Sequence, residues 1–317
     1  MTTPDNSTDL INGSEHLTGN GDLHVPRQAK HEDRILHKQS RTTVPLTALA
    51  LPELSPPKAL TISVVIPTWN EAANIGPVLR QLARFVDIVI VDAFSQDGTV
   101  EIARQVRPDL TLVQRPPRGK GDALRAGFAV ATGDVIVIMD ADGSMDPGEI
   151  DVFMSMMSVG FDLVKGSRLA VGGGSHDLTT LRTAGNAALC MFANTLFGTR
   201  WTDLCYGYLA FRRECLSQLA LRSDGFEIES EILAHAALAK LRIAEIPSIE
   251  MPRLTGESHL NARRDGFRIL RTMLAARMTP HARRSASALR PVPAPDPIID
   301  TVQVEVGHHG PEIELSS

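Results

Sequence analysis

Cysteine is scarce in this chain of 317 residues, and long apolar runs and an excess of basic charge are absent. Its three cysteines, Cys190, Cys205 and Cys215, are too few and too irregularly spaced for a disulfide framework or a four-thiolate metal site, which favours a reducing cytoplasm. No run reaches the roughly 20 apolar residues of a membrane-spanning helix, and no apolar segment follows the polar start, so we expect neither a transmembrane helix nor a signal peptide. A formal charge of −5 excludes a general attraction to nucleic acid.

The two ends of the chain differ in composition from its middle. Residues 1–57 are polar and end in Leu54-Ser55-Pro56-Pro57, and residues 285–317 combine a proline-rich stretch with an acidic one. We therefore predict disordered extensions at both ends and one folded domain over residues 58–284. Basic and acidic residues nearly balance within that domain, so local clusters matter more than the total charge.

Between residues 61 and 139, β-branched apolar runs alternate with segments of helical periodicity. They predict strands at 61–67, 87–92, 111–114 and 135–139, and helices at 73–84, 99–105 and 120–131. This alternation is typical of an α/β fold with a mostly parallel sheet flanked by helices. Polar residues follow the first, second and fourth strands, and ligands of open α/β sheets bind outside these carboxyl ends. We expect a binding site at this edge.

Two carboxylates follow the fourth predicted strand. Asp140 and Asp142, separated by Ala141, come directly after the apolar residues 135–139. Such a pair suits Mg²⁺ or Mn²⁺, with phosphate oxygens and water as the other ligands. An acidic turn is the alternative, because Asp142-Gly143 is also a good turn former.

Several motifs surround this pair in a fixed order. They are Val64-Val65-Ile66-Pro67-Thr68-Trp69-Asn70-Glu71, Val89-Ile90-Val91-Asp92, Arg118-Gly119-Lys120-Gly121, Asp140-Ala141-Asp142 and Gly166-Ser167-Arg168. Over about residues 60–280 the chain resembles the family 2 glycosyltransferases with the GT-A fold, most closely the polyprenyl-phosphate sugar synthases of the dolichyl-phosphate mannose synthase type. The resemblance implies a metal-dependent, inverting transfer of a sugar from a UDP- or GDP-sugar to a polyprenyl phosphate.

The resemblance also implies a set of nucleotide-binding and metal-binding residues. The nucleotide site comprises Pro67, Trp69, Glu71, Asp92, Lys120, Asp140 and Ala141, and the metal ligands are Asp140 and Asp142. An aromatic ring offers a stacking face for a base, and carboxylates accept hydrogen bonds from hydroxyl groups. Core packing is the alternative for Trp69, and a strand-end turn is the alternative for Asp92.

Four further residues are implied as catalytic. Arg168, Arg182 and Arg253 match positions where the family places arginines near phosphates, which guanidinium groups bind in a bidentate fork. Asp203 aligns with an acid that orients the acceptor or sugar, or else supports its loop. For each arginine taken alone, a solvated surface position is the more common interpretation.

Two positions depart from the family pattern. Ser144 stands where the mannose synthases often carry a glutamine near the metal, and His259 stands where they carry a lysine. We expect the metal site to survive, because both carboxylates remain, and the sugar or acceptor preference to differ.

A basic amphipathic segment follows at residues 263–284. Phe267, Leu270, Leu274 and Met278 recur at helical spacing among seven arginines, as in a helix lying on a membrane surface. A helix docked on the domain with solvated arginines is the alternative.

The nature of the acceptor stays open on the sequence alone. A lipid phosphate is already anionic near neutral pH and needs no general base, whereas a hydroxyl acceptor requires one, for which Asp203 is the leading candidate. Nucleotidyl transfer and catalytically silent binding of a nucleotide sugar are two further hypotheses for the same motifs.

Overall fold

The computed structural model of the chain describes residues 59–256 and 262–278. The predictions for residues 1–57, for residues 285–317 and for His259 lie outside this described part and stay predictions.

The first half of the domain alternates strands and helices as the sequence predicts. Its elements are β1 (Ile62–Thr68), α1 (Ala72–Gln81), β2 (Asp87–Asp92), α2 (Thr99–Val106), β3 (Thr111–Gln114), α3 (Lys120–Val130) and β4 (Val135–Ile138). Helix α1 ends three residues before the predicted end, because Leu82 adopts extended backbone angles. The Leu82 side chain packs in the core.

The second half adds three strands to the same sheet and several helices. Its elements are α4 (Glu149–Ser158), β5 (Leu163–Ser167), β6 (Gly174–Ser175), α5 (Thr180–Phe197), β7 (Leu209–Arg212), α6 (Leu216–Leu219), α7 (Ile228–Leu238), β8 (Ile243–Pro247), β9 (Ile249–Glu250) and α8 (Ala262–Met278). Helix α8 begins one residue before the predicted amphipathic segment at 263–284, and residues 279–284 of that segment lie outside the described part.

Seven strands form one sheet in the order β3-β2-β1-β4-β7-β5-β8. Strand β7 pairs antiparallel with both of its neighbours, and every other pairing in this sheet is parallel. Strands β6 and β9 form a separate parallel pair. The mostly parallel sheet expected from the sequence is confirmed.

Alternating side chains of the central strands build two cores, one on each face of the sheet. In β1, Val64 and Ile66 pack on the face covered by α1, α2 and α4, whereas Val65 packs on the face covered by α3, α5, α7 and α8. Strands buried on both faces require continuous apolar runs, which explains the uninterrupted β-branched sequences. Strands β1, β2, β4 and β5 run in the same direction, so their carboxyl ends lie at one edge of the sheet. The helices packed on the two faces hold the strands in place.

Candidate active site

A cavity of about 480 Å³ opens at this edge of the sheet. Its lining includes eleven of the twelve residues that the sequence singled out: Pro67, Trp69, Glu71, Asp92, Lys120, Asp140, Ala141, Asp142, Arg168, Arg182 and Arg253. The twelfth, Asp203, is fully buried behind the cavity wall. The structure thus brings together residues that are up to 186 positions apart in the chain.

The loops after β1 and β2 form the wall that the sequence predicts to hold the nucleotide. Trp69 is 54% exposed on this wall, so it is not a core residue. The backbone N–H of Asn70 donates to Ser95 Oγ (2.8 Å), which ties the two loops together. Asp92 is fully buried, and its carboxylate accepts hydrogen bonds from the Thr68 and Ser95 hydroxyls (2.9 and 2.6 Å). Asp92 therefore holds both loops in place beside the cavity.

Glu71 lies at the start of α1 and faces the acidic pair. Asn74 donates a hydrogen bond to Glu71 Oε2 (2.7 Å). Burial, and to a smaller extent the nearby Asp142 and Asp140, raise the pKa of the Glu71 carboxyl although the hydrogen bond from Asn74 opposes this. The acidic residues of the site therefore repel one another and need cations nearby.

Lys120, the first residue of α3, provides one of these cations. Its Nζ lies 2.6 Å from Asp140 Oδ1 and 2.6 Å from Glu229 Oε1, so one ammonium group bridges two carboxylates. Burial alone would lower the pKa of Lys120, but Asp140 and Glu229 hold it above its ordinary value. Gly207 packs against this bridge, where a Cβ would collide with the Glu229 carboxylate. The ammonium group thus stays charged beside the acidic pair.

Arg253 provides a second cation on the other side of the pair. Its Nη1 lies 2.5 Å from Asp142 Oδ2, and its Nε lies 3.8 Å from Asp177 Oδ2. Arg182 Nη1 lies 3.3 Å from the same Asp177 oxygen. Because Asp177 is shared, Arg182 and Arg253 are held next to each other at the cavity wall. Two guanidinium groups so placed suit a diphosphate.

Arg168 is fixed more rigidly than the other two arginines. Its Nε donates to Asp203 Oδ2 (2.7 Å) and its Nη2 to Asp203 Oδ1 (3.1 Å), while Nη1 pairs with Glu250 (3.2 Å). The guanidinium also lies 4.8 Å from the centre of the Tyr206 ring. Burial alone would raise the pKa of Asp203, but the hydrogen bonds from Arg168 lower it. Asp203 therefore acts as the anchor of Arg168 and does not line the cavity.

A buried lysine, Lys165, holds the loop that carries Asp203. Lys165 is completely buried and donates to the backbone carbonyl oxygens of Gly166 and Asp203 (2.8 and 2.5 Å), while Glu245 Oε1 lies 3.2 Å from its Nζ. The same Glu245 accepts from the backbone N–H of Asp203 (3.2 Å). The loop that carries Asp203 is thus fixed to β5 and β8.

The acidic pair itself fits a divalent cation of the kind that binds through one or two carboxylates. The Asp142 Oδ1 atom accepts from the Ser144 N–H (2.9 Å), and Oδ2 faces the cavity beside Arg253. Among the residues described, no group of three or more His, Cys, Asp or Glu side chains could hold a metal. Mg²⁺ and Mn²⁺ bind proteins through as few as one or two carboxylates and complete their coordination with phosphate oxygens and water, so the pair is compatible with such an ion.

Glu229 and Glu250 were not predicted from the sequence. Glu229 is one of three acids at alternating positions 227, 229 and 231, and it lies in the first turn of a helix of which nine of the eleven residues are buried. An acid in such a helix is a signal that could have identified it, because buried carboxylates need partners. Glu250 follows a proline-containing strand and carries no comparable signal.

Comparisons with known proteins identify the family and the fold of the chain. Residues 63–219 match the family model described as glycosyl transferase family 2. A dolichyl-phosphate hexose transferase of Haloferax volcanii is 31% identical over 204 residues, which cover 63% of this chain and 86% of that protein. An undecaprenyl-phosphate mannosyltransferase of Micrococcus luteus is 31% identical over 213 residues, which cover 63% of this chain and 87% of the relative.

The chain belongs to glycosyltransferase family 2. It is a glycosyltransferase, as the sequence motifs predicted. Its fold is similar to that of glucosyl-3-phosphoglycerate synthase from Mycobacterium tuberculosis, with a TM-score of 0.56 and 23% identity over 70% of this chain and 81% of the other. That synthase was solved with Mn²⁺, UDP-glucose and phosphoglyceric acid. The GT-A fold predicted for this family 2 glycosyltransferase is confirmed.

Proposed function

We propose that this family 2 glycosyltransferase transfers a sugar, with inversion at the anomeric carbon, from a UDP- or GDP-sugar to a polyprenyl phosphate. The two curated relatives described above are named as transferases that act on dolichyl phosphate and undecaprenyl phosphate. Their names support a lipid phosphate as the acceptor here. The cavity beside the acidic pair supports a nucleotide diphosphate as the donor.

The burial of Asp203 is the observation that favours a phosphate acceptor over a hydroxyl. A hydroxyl acceptor needs a general base, and Asp203 was the leading candidate. Its two carboxylate oxygens are instead bound by Arg168, and the pKa of this buried carboxyl is lowered. A phosphate monoester needs no base, since its second pKa is about 6 and it is largely anionic near neutral pH.

The donor diphosphate would lie between the cations of the site. Asp140 and Asp142 would hold a divalent cation, Mg²⁺ or Mn²⁺, which would neutralise the leaving diphosphate. Lys120, Arg182 and Arg253 stand around this position, so they would bind phosphate oxygens and stabilise the charge that develops on departure. Trp69 would provide the stacking face for the base.

The acceptor would be presented at a membrane surface, which we propose to be the cytoplasmic face. Within the described part of the chain, no helix is long and apolar enough to cross a bilayer. Phe267, Leu274 and Met278 of α8 are 69%, 45% and 79% exposed, and arginines stand between them. Exposed apolar side chains among basic ones suit a helix that lies on an anionic bilayer.

A donor and acceptor panel tests this function. The purified protein is incubated with Mn²⁺ and a set of UDP- and GDP-sugars, and release of the nucleoside diphosphate is measured with a short polyprenyl phosphate, the matching polyprenol or 3-phosphoglycerate. We expect release with one donor and the polyprenyl phosphate. Release with the polyprenol or 3-phosphoglycerate, and none with the lipid phosphate, would contradict the proposal.

A further inference from the structure

A second cavity adjoins the candidate active site. It has a volume of about 890 Å³, and residues 118–120 and Phe226 line both cavities. The rest of its wall comes from the segment that precedes α7, from α7 itself and from α8. The proposed sugar transfer assigns no role to this space.

Arginines dominate the polar lining of this second cavity. Five of them line it: Arg118, Arg222, Arg264, Arg268 and Arg271. Among the described residues, Arg271 makes no ion pair, and Arg268 has only a long contact with Asp265 (3.9 Å). Long contacts between exposed charges contribute little, so the positive charge of Arg268 and Arg271 is available to a ligand.

The acidic residues of the same cavity do not balance this charge. Asp224 pairs with Arg125 (2.6 Å), which lies outside the lining. Glu231 accepts from the backbone N–H groups of Arg222 and Ser223 (3.0 and 2.9 Å). Glu227 accepts a weak hydrogen bond from the Gly225 N–H (3.3 Å), and its second oxygen is buried. On α8 itself, Arg264 pairs with Asp265 (3.3 Å), so among the described residues Arg268 and Arg271 are the α8 arginines of this lining without a close carboxylate, and they make this wall suited to an anion.

Helix α8 places this positive wall next to apolar side chains that point outward. Arg264, Arg268 and Arg271 lie on one face because they are four and three residues apart. Phe267 and Leu274 occupy the adjoining face and are exposed, whereas Ile269 and Met273 on the other side of the helix are buried. A ligand with a phosphate group and an apolar body would therefore contact both surfaces at once.

We propose that the second cavity binds the phosphate group of an anionic lipid, with the arginines of α8 around the phosphate and the exposed apolar side chains in the bilayer. This inference extends the membrane docking included in the proposed function, but it does not depend on sugar transfer. Guanidinium groups hold phosphate oxygens in charge-assisted hydrogen bonds, which are stronger and more directional than attraction to a charged surface.

Arg271 and Arg277 offer a matched pair for the test. Both are exposed on α8 and both would lose one charge as glutamine, but only Arg271 lines the cavity. The full-length wild type, Arg271→Gln and Arg277→Gln are titrated with phosphatidylcholine vesicles with and without phosphatidylglycerol, and separately with inorganic phosphate. Circular dichroism checks that both variants remain folded.

We expect Arg271→Gln to weaken binding to the anionic vesicles about tenfold or more, because it removes hydrogen bonds to phosphate. Arg277→Gln should weaken it about fivefold at most, as general attraction to the surface predicts. If Arg271→Gln weakens binding more than Arg277→Gln with inorganic phosphate but not with the vesicles, the cavity is an anion site whose ligand is free phosphate, and the lipid assignment is overturned. Equal effects of the two variants with both probes would overturn the cavity site while leaving membrane docking intact. A wild type that binds neither probe would overturn both, whereas sugar transfer to a short polyprenyl phosphate is measured without vesicles and is judged separately.

Discussion

Replacing Lys120 by methionine is expected to destabilise the folded protein by about 3 to 5 kcal/mol, the usual cost of removing one partner from a buried ion pair. The Lys120 side chain is 10% exposed and the Glu229 side chain 9%, so little water reaches the Glu229 carboxylate when the ammonium group is removed. Asp140 is 28% exposed and can be partly hydrated. The cost therefore arises mainly at Glu229, whose buried carboxyl group loses its ammonium partner.

A second substitution separates this cause from a general loss of packing. Adding Glu229→Gln to Lys120→Met should recover about 2 kcal/mol, because it removes the unpaired buried charge. Lys240→Met is the control, since Lys240 is exposed, and should change the free energy of unfolding by about 0.5 kcal/mol at most.

Urea denaturation followed by circular dichroism measures all three variants without any need for substrate. The reasoning would be refuted if Lys120→Met stayed within about 1 kcal/mol of the wild type, which is far below the cost of an unpaired buried charge. It would also be refuted if Glu229→Gln destabilised the Lys120→Met protein further.

Three more predictions concern the same site. Asp142→Asn should lower sugar transfer by several orders of magnitude and leave the far-ultraviolet circular dichroism unchanged, because it removes a carboxylate that would bind the metal; wild-type turnover would contradict the metal site. Burial alone would raise the pKa of Asp203, but hydrogen bonds from Arg168 lower it below the ordinary value of 3.8. The ionised carboxylate therefore stabilises the folded protein at pH values above 3.8, and this stabilisation is lost as the pH falls below that value. Urea denaturation at about pH 5 and about pH 3 should therefore show a smaller drop for Asp203→Asn than for the wild type, and equal drops would argue against the pair. Burial raises the pKa of Cys205 to about 12, so this thiol should be alkylated about a thousandfold more slowly at mildly alkaline pH than in the unfolded chain, as judged by mass spectrometry.

The parts of the site that could be predicted from the sequence are those fixed by local pattern. Apolar runs of β-branched residues predict the strands β1 to β4 to within one residue, and the polar residues that follow them lie at one edge of the sheet. Asp140 and Asp142 are examples, since a buried strand directly precedes them. Because the strands are parallel, their carboxyl ends lie at the same edge of the sheet, and the residues that follow them can be placed there without knowing how the rest of the chain packs.

The ion pairs of the site could not be predicted, because they join elements that are distant in the chain. Lys120 and Glu229 are 109 residues apart, and Arg168 and Glu250 are 82 residues apart. Which carboxylate meets which cation depends on how α7 and the segment after β8 pack against the sheet. The same packing buries Asp203, which the sequence predicted to be catalytic, and pairs it with Arg168.

The most direct test of the proposed function is the structure of the product formed from the cognate nucleotide sugar and a polyprenyl phosphate. Mass spectrometry and nuclear magnetic resonance of the purified lipid identify both the new bond and the anomeric configuration. We expect a sugar joined through its anomeric carbon to the lipid phosphate, with the configuration opposite to that in the donor and no product from the Asp142→Asn protein. A retained configuration, or a sugar attached to a hydroxyl group while the lipid phosphate stays unmodified, would contradict the proposal.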